Sequence, residues 1–200
     1  MGQRKSGFER KKGDEYMTPE WVAETLLHVV PMYGAVWEPA CGELGIVSVI
    51  EREARCETVA TDLNARWSRD AGPVDFLTVD MNKIVAAGYP VTIVTNPPYG
   101  KRGKIAEAFV RRALENTKIS RGRVAMLLPV DWDAGKTRQD LFEEFPAHIT
   151  TIRLTERIRW TNLPQSKNGP SANHAWFVWD WSRRGRDQRW LGQIIKEQAA

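Results

Sequence analysis

The residues best suited to chemistry stand together at Asn96-Pro97-Pro98-Tyr99, directly after the β-branched run Val91-Thr92-Ile93-Val94. A run of that kind, stopped by two prolines, predicts a buried strand that ends abruptly. Pro97 and Pro98 hold φ at about −65° and carry no N–H, so the chain leaves the sheet in a rigid, extended turn. The turn presents an amide, an aromatic ring and free backbone carbonyls side by side. That set suits a flat substrate bearing an amino group. The Tyr99 ring stacks on the face of such a substrate, while Asn96 Oδ1 and the Pro97 carbonyl accept its N–H bonds. An ordinary proline turn capped by Asn is the plainer reading of the tetrapeptide, and the upstream segments weigh against it.

The elements that must position this turn read as an α/β sheet. Ala35-Val36-Trp37-Glu38-Pro39-Ala40-Cys41-Gly42-Glu43-Leu44-Gly45 is a strand followed by a glycine-bearing turn, which opens a helix through Ile50. This is how α/β proteins bring nucleotide-like ligands to the C-terminal end of a strand, although a complete G-x-G-x-x-G is absent. Val59-Ala60-Thr61-Asp62 ends a second strand in an acid, about 20 residues on, where a carboxylate accepts bonds from ribose hydroxyls. The alternative for Asp62 is an acidic N-cap. Val74-Asp75-Phe76-Leu77 is expected as a third strand end, with Phe76 over an adenine face and Asp75 accepting from its amine, or with Phe76 in the core. The Asn96 strand is the fourth. Strands at 123–129, 149–154 and 175–181 complete seven, and the exit of the first of these, Val130-Asp131-Trp132-Asp133, falls on the same sheet edge. Helices are expected from a Thr18 N-cap and Pro19 at the first helical position to about Val30, at 105–114, and briefly at 139–145.

Composition narrows the class. The 200 residues suit one domain with an ordinary core, and neither a membrane-spanning run nor a secretory leader stands out. Cys41 and Cys56 read as reduced thiols of a cytoplasmic protein, and His28, His148 and His174 are too scattered for a metal site. Residues 1–13 hold five basic side chains against one acid, so this stretch carries the whole net charge of +4. The expected organisation is a disordered basic tail at 1–14, a single domain at 15–181 and a basic C-terminal tail at 182–200. Lys101-Arg102-Gly103-Lys104 and Arg183-Arg184-Gly185-Arg186 are local basic patches.

With these residues in view, the chain resembles the amino-group methyltransferases that use S-adenosylmethionine, especially phage and prophage N6-adenine DNA methyltransferases. The resemblance spans about 15–181. Asn96-Pro97-Pro98-Tyr99 matches the catalytic signature of that family. Tyr16 with Thr18-Pro19 resembles the segment that contacts the methionine part of the cofactor. Glu38-Pro39-Ala40-Cys41-Gly42 resembles the cofactor loop, Asp62 the ribose acid, and Asp75-Phe76 the adenine pair. His174-Ala175-Trp176-Phe177-Val178-Trp179-Asp180 is similar to the end of the phage-type subgroup. The chain departs from the family at Leu44, where glycine is usual and Gly45 follows one position late.

The resemblance implies a Rossmann-like seven-stranded methyltransferase sheet, mostly parallel with one antiparallel strand and helices on both faces. It implies direct methyl transfer to adenine N6 in double- or single-stranded DNA, with the base flipped out of the stack. Tyr99, Trp132 and Trp160 are then expected against the nucleic acid, Lys101, Arg102 and Lys104 against its phosphates, and no metal, membrane or obligatory protein partner takes part. The loop at 160–171 is too short for a separate recognition region, which implies low or short sequence specificity. The readings left open are adenine in RNA, a protein glutamine amide, and an inactive nucleic-acid-binding relative.

Overall fold

The computed structural model describes residues 16–54, 56–85, 90–143, 145–161, 170 and 172–191, with the side chains of 188–191 excepted. Strands β1 (Ala35–Glu38), β2 (Glu57–Ala60), β3 (Val91–Thr95), β4 (Arg123–Pro129), β5 (His148–Leu154), β6 (His174–Asp180) and β7 (Arg186–Leu191) form one sheet in the order β2-β1-β3-β4-β6-β5-β7. Among the described strands only β6 runs against its neighbours, pairing antiparallel with both β4 and β5. All other pairings are parallel. The mostly parallel, seven-stranded sheet agrees with expectation.

Both faces are covered, which is why the central strands read as unbroken apolar runs. Helices α1 (Glu20–Val29) and α2 (Gly45–Glu53) bury Val22, Leu26, Ile46 and Ile50 against Val36, Val94, Ala125, Leu127 and Trp176. Helix α3 (Lys104–Lys118) buries Ala106, Phe109, Val110 and Ala113 on the other face against Ile93, Val124, Met126 and Phe177. Alternate residues of β4 thus serve opposite cores. The tryptophans of β6 do likewise. Trp176 Nε1 donates to the Val22 carbonyl and Trp179 Nε1 to the Leu141 carbonyl, each at 2.8 Å.

Four expectations change. Residues 74–77 are a turn rather than a strand, because the Asp75 side chain accepts the Leu77 N–H at 3.0 Å and folds the chain back. The seventh strand comes instead from β7, inside the stretch expected as a basic tail, where it pairs parallel with β5. The helix expected at 139–145 is a 3₁₀ segment at Lys136–Leu141. Finally, Thr18 does not cap α1: Pro19 occupies the N-cap position, with φ −64° and ψ 147°. Residues 1–14 lie outside the described residues. No helix among the described residues is long and apolar enough to cross a membrane.

Candidate functional site

The C-terminal ends of β1, β2, β3 and β4 share one edge of the sheet, where open α/β sheets bind ligands. At the end of β3, Asn96 is half-buried and its side chain is held from two sides. Nδ2 donates to the Tyr16 carbonyl and to Thr18 Oγ1, both at 3.2 Å. Oδ1 accepts from the Tyr99 hydroxyl at 3.3 Å, and that hydroxyl also lies 3.4 Å from the Leu127 carbonyl. After Pro97 and Pro98 the chain turns at Gly100, whose φ is +66° and where a Cβ would stand 2.4 Å from Ile105 Cγ1. Glycine is required there. The Tyr99 carbonyl then accepts the Ile105 and Ala106 N–H groups at 3.3 and 3.4 Å, so the turn itself caps α3.

Beside Asn96 lies a cleft of about 200 Å³ whose lining includes Tyr16, Thr18, Pro19, Glu38, Ala40, Cys41 and Gly42. The β1–α2 loop closes it. The Gly42 N–H donates to Asp62 Oδ2 at 3.1 Å, which ties the end of β2 to this loop, while Asp62 Oδ1 accepts the Asn64 N–H at 2.8 Å. Leu44 stands at the N-cap of α2 in the left-handed conformation, with φ 66° and ψ 20°. The glycine one position late serves a different end. A Cβ at Gly45 would come 2.3 Å from the Thr18 carbonyl oxygen, so Gly45 permits the close approach of segment 16–18.

The electrostatics of the cleft are set by Glu38. Burial pushes its carboxyl well above the ordinary range, the Val47 N–H pulls it back, and nearby Asp62 raises it further. Its Oε2 is buried without a hydrogen-bond partner. Burial, then the charges of Glu38 and Asp62, push the Cys41 thiol up to about 12. That thiol lies 3.2 Å from the Trp67 carbonyl and is an inert packing group. Among the described residues no group of three or more His, Cys, Asp or Glu side chains is placed to hold a metal ion.

An aromatic wall runs from the cleft to the Asn96 turn. The Tyr16 and Trp160 rings are 5.3 Å apart, Trp160 meets His174 edge-on at 5.3 Å, and His174 lies nearly parallel to Tyr99 at 6.3 Å and 20°. His174 opens β6 opposite Pro129 and is 4 % exposed. Burial lowers its pKa to about 4, outweighing the Ala172 carbonyl and the Asp131 carboxylate, and its Nδ1 has no partner. The sequence reading names it among three scattered histidines and at the head of the run 174–180, and gives it no role in the site. Its position at the head of an apolar strand, on the edge that also carries Asn96, was the available signal.

Two expected contacts are corrected. Phe76 is 2 % exposed, edge-on to Trp37 at 5.2 Å and 4.8 Å from Phe109, so its ring belongs to the core and offers no face to an adenine. Trp132 is buried against Phe142, Phe177 and Trp179, with the Arg138 guanidinium 4.5 Å over its ring. It is therefore no platform for a nucleic-acid base. Asp75 is exposed and Pro39 buried, and neither lines the cleft. Lys101, Arg102 and Lys104 are exposed at the exit of the Asn96 turn.

The sequence matches no protein-family model and no curated protein. Solved structures do match the fold. The methyltransferase subunit of a type I restriction-modification system from Streptococcus thermophilus superposes with a TM-score of 0.62 at 18% identity, over 89% of this chain and 47% of that one. The present chain thus spans about half the length of that subunit. A protein from Listeria monocytogenes described as a class I S-adenosylmethionine-dependent methyltransferase gives 0.56 at 16% identity, over 94% and 68% of the two chains. The hMettl16 catalytic domain, in complex with MAT2A 3′UTR hairpin 1, gives 0.55 at 9% identity, over 92% and 79%. These likenesses establish the Rossmann-like methyltransferase fold.

Proposed function

We propose that this chain transfers a methyl group from S-adenosylmethionine to the N6 amino group of adenine in DNA. The observation that carries the reading is the Asn96 amide. Both of its N–H bonds are consumed by Tyr16 and Thr18, and its oxygen is turned toward Tyr99. An oxygen held in that way is a preorganised acceptor for an amine.

The cleft fits the co-substrate. Glu38 Oε2 is a buried acceptor without a partner, suited to an ammonium group, and Asp62, tied to the loop through the Gly42 N–H, is the candidate carboxylate for the ribose hydroxyls. Glu38 and Asp62 suit a ligand carrying positive charge. Tyr16, Thr18, Pro19, Ala40, Cys41 and Gly42 supply the remaining walls. Since Phe76 is buried, Leu63, the residue after Asp62 and 70 % exposed, is a candidate apolar cover for an adenine face. S-adenosylmethionine would supply an electrophilic methyl group on a sulfonium: the S–CH3 bond breaks as the N–CH3 bond forms, S-adenosylhomocysteine leaves as the neutral thioether, and the cationic methylated nitrogen loses its proton to water.

The chain supplies orientation. An adenine amine is a poor nucleophile because its lone pair is delocalised into the ring. Hydrogen bonds from the amine to Asn96 Oδ1 and the Pro97 carbonyl favour a tetrahedral nitrogen and free that lone pair. Tyr99, backed by His174, is the residue to hold the base by stacking, and Trp160, edge-on to His174, is the candidate for a second ring contact. Holding the reacting atoms in this way supplies several kcal/mol, on the order of what oriented intramolecular reactions gain. In duplex DNA the base must be flipped out to reach the turn.

The test is tritiated methyl transfer from S-adenosylmethionine to unmethylated plasmid, followed by nucleoside mass spectrometry. N6-methyladenine in the digest is the expected result, and its stoichiometry per adenine reads the degree of sequence selectivity. Transfer to RNA or to a protein amide instead would overturn the substrate assignment. Absent cofactor binding in a calorimetric titration would overturn the enzyme reading. Asn96→Ala is expected to lose turnover while binding the cofactor nearly as well as the parent chain.

A further inference from the structure

We infer that segment 16–18 is the device that orients the Asn96 amide, with Thr18 as its positioning residue. The catalytic consequence rests on the amino-group reading above; the geometry does not. A carboxamide can be turned over about its last bond with little steric change, and its two settings present opposite chemistry. One offers an oxygen to an incoming amine. The other offers N–H bonds that meet the N–H bonds of the amine and repel it.

Two acceptors decide between them. The Tyr16 carbonyl and Thr18 Oγ1 each lie 3.2 Å from Nδ2. Turned over, Oδ1 would face the Tyr16 carbonyl oxygen with no proton between them, and Nδ2 would face the Tyr99 hydroxyl. The Tyr16 carbonyl therefore fixes which atom points away, and the Thr18 hydroxyl fixes the rotation. Tyr99 donates to Oδ1 from the far side, which leaves one oxygen lone pair for the substrate. Thr18 is free for this role because Pro19, not Thr18, caps α1.

The same segment also grips the cofactor loop, through Met17 and Thr18, and is itself held by Thr161. The Glu43 N–H donates to Met17 Sδ at 3.4 Å, the Thr161 N–H donates to the Met17 carbonyl at 3.3 Å, and Gly45 admits the Thr18 carbonyl. Asn96 is thereby tied to the walls of the cleft beside it. An aspartate at position 96 is not equivalent, since it would set a second oxygen against the Tyr16 carbonyl.

The experiment compares the parent chain with Thr18→Val, Thr18→Ser and Asn96→Asp. Thr18→Val, nearly isosteric, removes the acceptor and should lower kcat on the order of 10- to 100-fold, the scale of a small misplacement. Thr18 also lines the cleft, so the dissociation constant for S-adenosylmethionine is measured alongside, and the fall in kcat should exceed any rise in it, the pattern of an interaction needed for the chemical step. Thr18→Ser keeps the hydroxyl and should recover most of the rate. NMR supplies a readout independent of activity. The Asn96 Nδ2–H protons, assigned by their loss in Asn96→Asp, should exchange slowly in the parent and in Thr18→Ser but fast in Thr18→Val. An unchanged kcat in Thr18→Val, or a loss confined to cofactor affinity, would overturn the positioning role. If the parent transfers no methyl group, the methyltransferase reading fails on its own. Unchanged exchange in Thr18→Val would then separately defeat the inference about Asn96.

Discussion

Glu38 has opposite consequences for folding and for binding. Its carboxyl is raised in the folded chain by burial, so the native state holds more protons than the unfolded state above the ordinary carboxylate range. Stability from this group is present at lower pH and falls as pH rises through the window up to the raised value, by at most about 1.4 kcal/mol per pH unit. In urea denaturation followed across pH, Glu38→Gln should abolish that slope. Affinity for S-adenosylmethionine should run the other way, strengthening as pH rises and Glu38 ionises, and should fall on the order of 10- to 100-fold in Glu38→Gln, the scale of a charged hydrogen bond. Leu44 makes a second case. A left-handed residue with a Cβ costs about 1–2 kcal/mol. Leu44→Val puts a branched side chain at that φ and should cost a further ~1 kcal/mol in thermal unfolding, whereas Leu44→Gly trades backbone strain against packing on the Cys41, Val47 and Ala60 cluster and should lie near the parent. At this scale Asn96-Pro97-Pro98-Tyr99 was legible because proline geometry is local. Phe76 and Trp132 were not, because whether an aromatic ring faces a ligand or the core depends on Trp37, Phe109 and Phe177, which lie far away in sequence.

Among the elements, β6 is the one whose direction departs from the rest, and a buried ion pair clamps it. Arg123 Nε donates to Asp180 Oδ2 at 2.8 Å where the first residue of β4 meets the last residue of β6. Burial pushes the Asp180 carboxyl up, but hydrogen bonds from Ser182 and Arg123 outweigh it and hold the group below its usual range. Its contribution is present above the unfolded-state carboxyl range and is lost as pH falls through the folded value, so it belongs to the acid limb of the stability profile. Removing one partner alone, in Arg123→Met or Asp180→Leu, should cost about 3–5 kcal/mol in urea denaturation, while the double replacement should come back close to the parent. A loss in the double variant as large as the sum of the singles would refute the coupling. The sequence announced β4 and β6 by their apolar runs. It hid β7, since an edge strand with one open side is allowed to be polar, and Arg186-Asp187-Gln188-Arg189 reads as tail by composition. The short run at 74–77 failed in the reverse sense: apolar residues mimicked a strand, and only the Asp75 side chain, by closing its turn, settled the conformation.

For the molecule as a whole, placement of charge matters more than its total. Residues 1–13 carry the full excess of +4, so the remaining surface is balanced and any pull on a polyanion must be local. Of the two basic patches in the folded part, one adjoins the site. Lys101 and Arg102 stand exposed between the Asn96 turn and α3, and Lys104, also exposed, opens α3. Arg183 and Arg184 precede β7, which runs parallel to β5, and follow Asp180, which pairs with the first residue of β4. They therefore lie at the N-terminal edge of the sheet, opposite Asn96. Each cation that meets a phosphate of duplex DNA contributes about 0.9 to the slope of log affinity against log salt. Lys101→Ala with Lys104→Ala should weaken DNA binding alike on all sequences and reduce that slope by about 1.8, measured by fluorescence anisotropy over a salt series. Arg183→Ala with Arg184→Ala should leave turnover unchanged. If the far-edge pair reduced turnover and the Lys101 and Lys104 pair did not, DNA would have to approach from the other side of the sheet, and a base flipped into the Asn96 turn would be out of reach.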